Sequence, residues 1–173
     1  MTTPRRVAEM NSSDDLFYSS TDRTGHGASR DPNGWTLQVE LSAYLSFKGD
    51  CEAAFDFYEK VLGAKLGLMF RYGDSPMADV VPEGWENKIM HGSVTIGRYL
   101  LEGADVPPER YEQPKGFSLS VNVPSASDAD SLFGELGNGG RIVYPIEKTF
   151  WSERFGMVVD RFGIPWMINC EKR

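Results

Sequence analysis

The chain has 173 residues, 40% of them hydrophobic, with a formal net charge of −7. That is enough apolar material for one ordinary domain without disulfide or metal staples. The acidic balance, with a pI near 4.9, argues against nucleic acid or an anionic membrane as partner, because both reward clustered Lys and Arg. A small neutral or cationic ligand suits it better. Cys51 and Cys170 lie far apart and form no C-x-x-C pair, so they read as two thiols of a cytoplasmic protein. No run of about 18 apolar residues could span a membrane, and the start has no apolar core of a secretory signal.

Residues 1–35 are rich in Ser, Asp, Thr and Gly, the composition of a flexible extension, and His26 within them is expected to have no role. From Trp35 the pattern becomes "TLQVELSAYLSF", in which Val39, Leu41, Ala43, Leu45 and Phe47 alternate with Gln38, Glu40, Ser42, Tyr44 and Ser46. This predicts a long, half-buried strand. "GDCEAAFDFYEKVLGAK" follows. Asp50 is placed to cap a helix whose apolar stripe is Ala54, Phe57, Tyr58, Val61 and Leu62, and Gly63 stops it. The strand "KLGLMFRY", a Pro/Gly loop holding Trp85, and the strands "IMHGSVTIG" and "YLLEG", turned at Gly97-Arg98, complete a βαβββ unit.

The same order recurs. "FSLSVNV" alternates as a strand, "SASDADSLFGELGNGG" reads as a helix with Ser125 and Asp128 as a capping box, and three more strands follow. The spans expected are a first module over 36–103, a linker over 104–115 and a second module over 116–173, within one domain of 36–173. The fold class is therefore α+β.

In each module the strand face opposite the helix carries polar residues: Ser42 and Tyr44 on the first strand, His91, Ser93 and Thr95 on a later one, and Ser118, Ser120 and Asn122 in the second module. Such a face either lines a small-molecule groove or is simply wetted, as antiparallel sheets often are. Asp160 and Arg161 in "VVDRFG" read as a turn-stabilising ion pair.

"AYLSFKGDCEAAFDFYEKVLGAKL", "KIMHGSVTIG" and "TFWSERFGMVVDRFGIPWMIN", in this order, resemble the PhnB-like branch of the vicinal oxygen chelate superfamily, which also holds glyoxalase I and the bleomycin-resistance proteins. The resemblance implies paired βαβββ modules forming an eight-stranded, U-shaped, open barrel-like sheet with helices outside, and a homodimer. It also implies a divalent-metal site on the first and last strands of each module. In this chain those positions hold Ser42 (or Ala43, if the offset before the helix differs), Glu102, Ser118 and Met167. Glu102 is the one good ligand among them, since hydroxyls and a thioether hold a divalent ion poorly. No resident metal or other cofactor is therefore expected.

His91 and Glu102 lie on strands joined by a tight turn, within reach of one another. Four roles are open to His91: structural, ligand contact, acid/base, or part of a rebuilt metal site. Trp85 and Trp151 offer aromatic surface for a planar ligand. The expected function is a small-molecule binder of the glyoxalase/bleomycin-resistance type with Ser42, Tyr44, Trp85, Ser118, Ser120, Trp151 and Met167 around the ligand. The alternative is a lyase, isomerase or dioxygenase with Glu102 and His91 as catalytic groups, either as general base or in a rebuilt divalent-metal site.

Overall fold

The computed structural model describes residues 40–172 apart from 77, 79, 80 and 82. The expected extension over 1–35, His26, and the start of the first predicted strand lie outside the described residues. The elements run β1 (Ala43–Phe47), α1 (Cys51–Leu62), β2 (Lys65–Arg71), β3 (Ile89–Ile96), β4 (Tyr99–Asp105), β5 (Leu119–Asn122), α2 (Ala126–Gly137), β6 (Arg141–Glu147), β7 (Ser152–Val159) and β8 (Pro165–Glu171). This is a βαβββ order repeated twice in an α+β chain. None of the described helices is long and apolar enough to cross a membrane.

The eight strands of the described residues hydrogen-bond as two four-stranded sheets, ordered β1-β4-β3-β2 and β5-β8-β7-β6. In each sheet the module's first strand lies parallel to its last, β1 on β4 and β5 on β8, and the other pairs are antiparallel. Each helix covers one face of its own sheet. Leu45, Phe47, Phe55, Tyr58, Val94 and Leu101 join Phe133, Leu136, Val158, Trp166 and Ile168 in one continuous core, so the modules share their helix-side packing.

Close backbone approach sets the sheet-helix distance in the first module. Gly92 of β3 and Gly103 of β4 stand opposite each other, and the Phe55 ring sits over them. A Cβ on Gly103 would lie 2.9 Å from the Leu45 carbonyl oxygen and about as close to the Phe47 and Phe55 rings. The carbonyl belongs to a paired strand and cannot retreat. Gly103→Ala should therefore cost about 1–3 kcal/mol by overpacking, read as a lower urea midpoint at unchanged slope.

Two local expectations are corrected. Leu41 belongs to the apolar set of the expected strand, but β1 begins only at Ala43 and Leu41 is 96% exposed. Asp50 occupies the N-cap position of α1 yet makes no side-chain cap bond. Asp105, from the end of β4, does that work: its Oδ1 accepts the amides of Gly49 (3.0 Å) and Cys51 (2.8 Å), and its Oδ2 accepts the amide of Ile89 (2.8 Å). In α2, Ser125 accepts the Asp128 amide at 3.1 Å as a local cap.

Candidate functional site

The open face of the first sheet is built by strand parity. Tyr44 of β1 stands opposite Glu102 of β4, and Glu102 opposite Ser93 of β3, so these three form a row across the sheet. His91 is two residues from Ser93 on the same face, which makes it a diagonal neighbour of Glu102. Ser42, two residues before Tyr44, is the other diagonal neighbour. The pairing of β2 with β3 slips twice, with an extra residue on β2 between Leu66 and Met69 and one on β3, Met90, between His91 and Ile89. The β3–β4 register from Gly92 to Ile96 is unbroken, and His91 reaches Glu102 on the face the alternation gave it.

These side chains meet. The Ser42 hydroxyl donates to Glu102 Oε2, while His91 Nε2 lies 3.7 Å from Glu102 Oε1. The Tyr44 ring stacks beside the imidazole, with centroids 6.0 Å apart and planes at 29°. Both His91 and Glu102 keep part of their side chains accessible, 33% and 26%. Burial, and then Cys51 and Glu102, holds the Tyr44 phenol above its usual range, so at neutral pH it carries its proton. Phe70 of β2 pairs with His91 and is half exposed. The arrangement is one carboxylate flanked by a hydroxyl and an imidazole, beside a phenol and a phenyl ring.

Ser118, Ser120, Met167 and Trp151 all belong to the second module, with Ser118 just before β5 and Trp151 just before β7. Ser120 pairs with Met167, and Met167 with Met157; Asn122 pairs with Asn169, and Asn169 with Phe155. Asn169 Nδ2 donates to Asn122 Oδ1 at 2.9 Å, while Asn169 Oδ1 is buried without a partner. Trp151 lies 5.5 Å from Phe155, Tyr144 lies 5.8 Å from Phe155, and Phe150 packs edge-on against Trp151. Trp85 makes its ring contact with Tyr72 at 6.1 Å. Phe70, Asn169 and Phe155 were not singled out from sequence, although the parity of His91 and Met167 could have found them.

The divalent-metal positions of the resembled superfamily carry a weak donor set in this chain. Ser42, Glu102, Ser118 and Met167 supply one carboxylate, two hydroxyls and a thioether, and His91 adds one imidazole beside Glu102. No three His, Cys, Asp or Glu side chains converge among the described residues. This donor set does not fit a resident divalent ion.

Two other groups have structural work. Asp160 is not paired with Arg161 as the sequence suggested. Its Oδ2 accepts the Tyr58 hydroxyl (2.7 Å) and the Trp166 indole N–H (2.8 Å), and its Oδ1 accepts the amides of Phe162 and Ile164. Arg161 donates instead to the Asn138 carbonyl and lies over the Phe57 ring. A buried acceptor with four donors is satisfied without a cation. Cys51 is buried, and burial first, then Asp105, pushes its thiol far above the usual range, which excludes a thiolate nucleophile.

Comparison with known proteins agrees with the architecture. The model of the Glyoxalase/Bleomycin resistance protein/Dioxygenase superfamily matches residues 41–168. Protein YjdN of Escherichia coli is 33% identical over 143 residues, covering 78% of this chain and 97% of its own length. A solved structure from Pseudomonas aeruginosa is 42% identical with a TM-score of 0.70, covering 79% of this chain and all of that one. The PhnB protein of Bacillus cereus, at 22% identity and a TM-score of 0.66, covers 76% of this chain and 99% of its own, and shares the fold. With its repeated βαβββ modules and this match across both, the chain belongs to the glyoxalase/bleomycin resistance/dioxygenase superfamily.

Proposed function

We propose that this cytoplasmic protein binds a small planar, neutral or cationic molecule on the open face of its first sheet, with Glu102 as anchor and no resident metal. The observation that carries the reading is the Glu102 carboxylate. It is fixed by the Ser42 hydroxyl, faces His91 Nε2 at 3.7 Å and remains partly accessible. Tyr44 is its cross-strand neighbour and Phe70 pairs with His91 beyond it, and a carboxylate among aromatic faces attracts a delocalised cation.

A second copy of the chain closes the groove in this reading. Glu102 and His91 stay partly accessible on an open sheet face, which a second copy would cover. The edge strands β2 and β6 leave Leu68 (59%), Phe70, Ile142 and Val143 exposed. Apolar sheet edges of this kind call for a partner.

Acridine orange, a planar cation, serves as a probe. Its fluorescence should titrate saturably, and Glu102→Ala should weaken binding roughly tenfold, the equivalent of one charge-assisted contact. Equal affinity in the variant contradicts the anchor. The proximity of His91 to Glu102 favours one second reading, a proton-transferring enzyme. In that case the variant loses turnover of a substrate while its affinity stays within a fewfold of wild type.

A further inference from the structure

The hollow bounded by the end of β1, the 111–115 segment and the β7–β8 turn has a charge unlike the rest of the molecule. Lys48, Lys115, Arg141 and Arg161 all line it, in a chain whose formal charge is −7. Its acidic lining residue, Asp160, turns both oxygens to four protein donors and is 3% exposed. Arg161 is likewise committed, to the Asn138 carbonyl and the Phe57 ring.

Lys48, Lys115 and Arg141 are different. All three are exposed, and none enters the Lys and Arg ion pairs found among the described residues, which join Arg71 to Glu52, Lys148 to Glu153 and Arg154 to Asp130. Like charges around one hollow repel, and an anion between them relieves that repulsion. Tyr111 and Gln113 add hydrogen-bonding groups to the same wall. Gln113 Nε2 donates to the Gly163 carbonyl, which fixes the 111–115 segment against the β7–β8 turn. The volume of about 500 Å³ lies within the range of small-molecule sites. Two ammonium groups and a planar guanidinium fork suit an oxyanion with many acceptor atoms.

We infer that this groove binds a small polyanion of the phosphate-ester class, with Lys48, Lys115 and Arg141 as its cationic ligands. The site is independent of the Glu102 face, whose charge is opposite, so either can fail without the other.

The test is an amide NMR titration of the whole chain with inorganic phosphate, then pyrophosphate, at an ionic strength held constant with potassium chloride. Shifts at 111–115, 139–141 and 160–163 should saturate, and pyrophosphate should bind more tightly than phosphate. Lys48→Gln with Arg141→Gln should weaken phosphate binding by roughly tenfold or more, with the urea midpoint unchanged because both side chains are exposed. Lys115→Gln alone should weaken it by a smaller factor and provides a second readout should the double variant fold poorly. Shifts that never saturate, or wild-type phosphate affinity in these variants, overturn the proposal.

Discussion

Asp160→Asn should destabilise the protein by about 3–5 kcal/mol, the cost of leaving buried donors unpaired. The carboxylate offers two oxygens to four donors, two from side chains and two from the backbone of its own turn. An amide replaces one oxygen with a donor, so whichever way it sits, two buried N–H or O–H groups face an NH2. Tyr58→Phe removes one donor and leaves the carboxylate with three, so it should cost only about 1 kcal/mol. The Tyr58 bond carries the first module's helix onto the second module's turn, and the Tyr58 and Trp166 rings pack at 5.3 Å. Urea unfolding of both variants distinguishes a hub from an incidental contact. Equal losses would mean that the carboxylate is not the hub.

Asp105 is the second large effect. Asp105→Ala orphans the amides of Gly49, Cys51 and Ile89 together, at a residue only 1% exposed, and should cost about 3–5 kcal/mol. Asp50→Ala should cost far less, because the Asp50 side chain makes no cap bond. Proton binding adds a signature. Burial of Asp105 outweighs its three amide donors and raises its pKa above the usual carboxylate value. For a raised carboxyl, stability is fully present below the unfolded-state pKa and declines as pH rises through the folded one. Asp105→Asn removes that component, so its loss relative to wild type should be greatest in acid and shrink toward neutral pH. A difference that instead grows with pH would reverse the sign of the shift.

Both residues show where sequence reading ends. The period of two in "IMHGSVTIG" and the period near 3.6 in "CEAAFDFYEKVL" placed strands, helices and the faces of His91 and Glu102, because alternation and helical stripes are local properties. Asp50 looked like a cap for equally local reasons. The cap came from Asp105, 55 positions along the chain, and no local pattern encodes a contact across a sheet. The Asp160-Arg161 dipeptide likewise suggested a pair of neighbours, whereas the carboxylate turned inward to Tyr58, 102 positions away. Leu41 obeyed the alternation but fell before the start of β1, where no helix covers it.

The candidate site divides in the same way. Parity put Ser42, Tyr44, His91 and Glu102 on one face, and strand pairing brought them into contact. It could not say that the second module, with Ser120 and Met167, would form a hydrogen-bonded sheet of its own, since that depends on how the two modules pair. Trp85, expected to offer aromatic surface to a planar ligand, packs its ring on Tyr72.

Native mass spectrometry of the untagged protein, purified without chelator or added metal, tests the central claim most directly, because one spectrum reports subunit count, bound metal and bound probe. The account predicts a metal-free dimer that takes up acridine orange, with uptake reduced in Glu102→Ala. A dimer carrying about one divalent ion per subunit, lost on Glu102→Ala, would contradict it and make Glu102 a metal ligand.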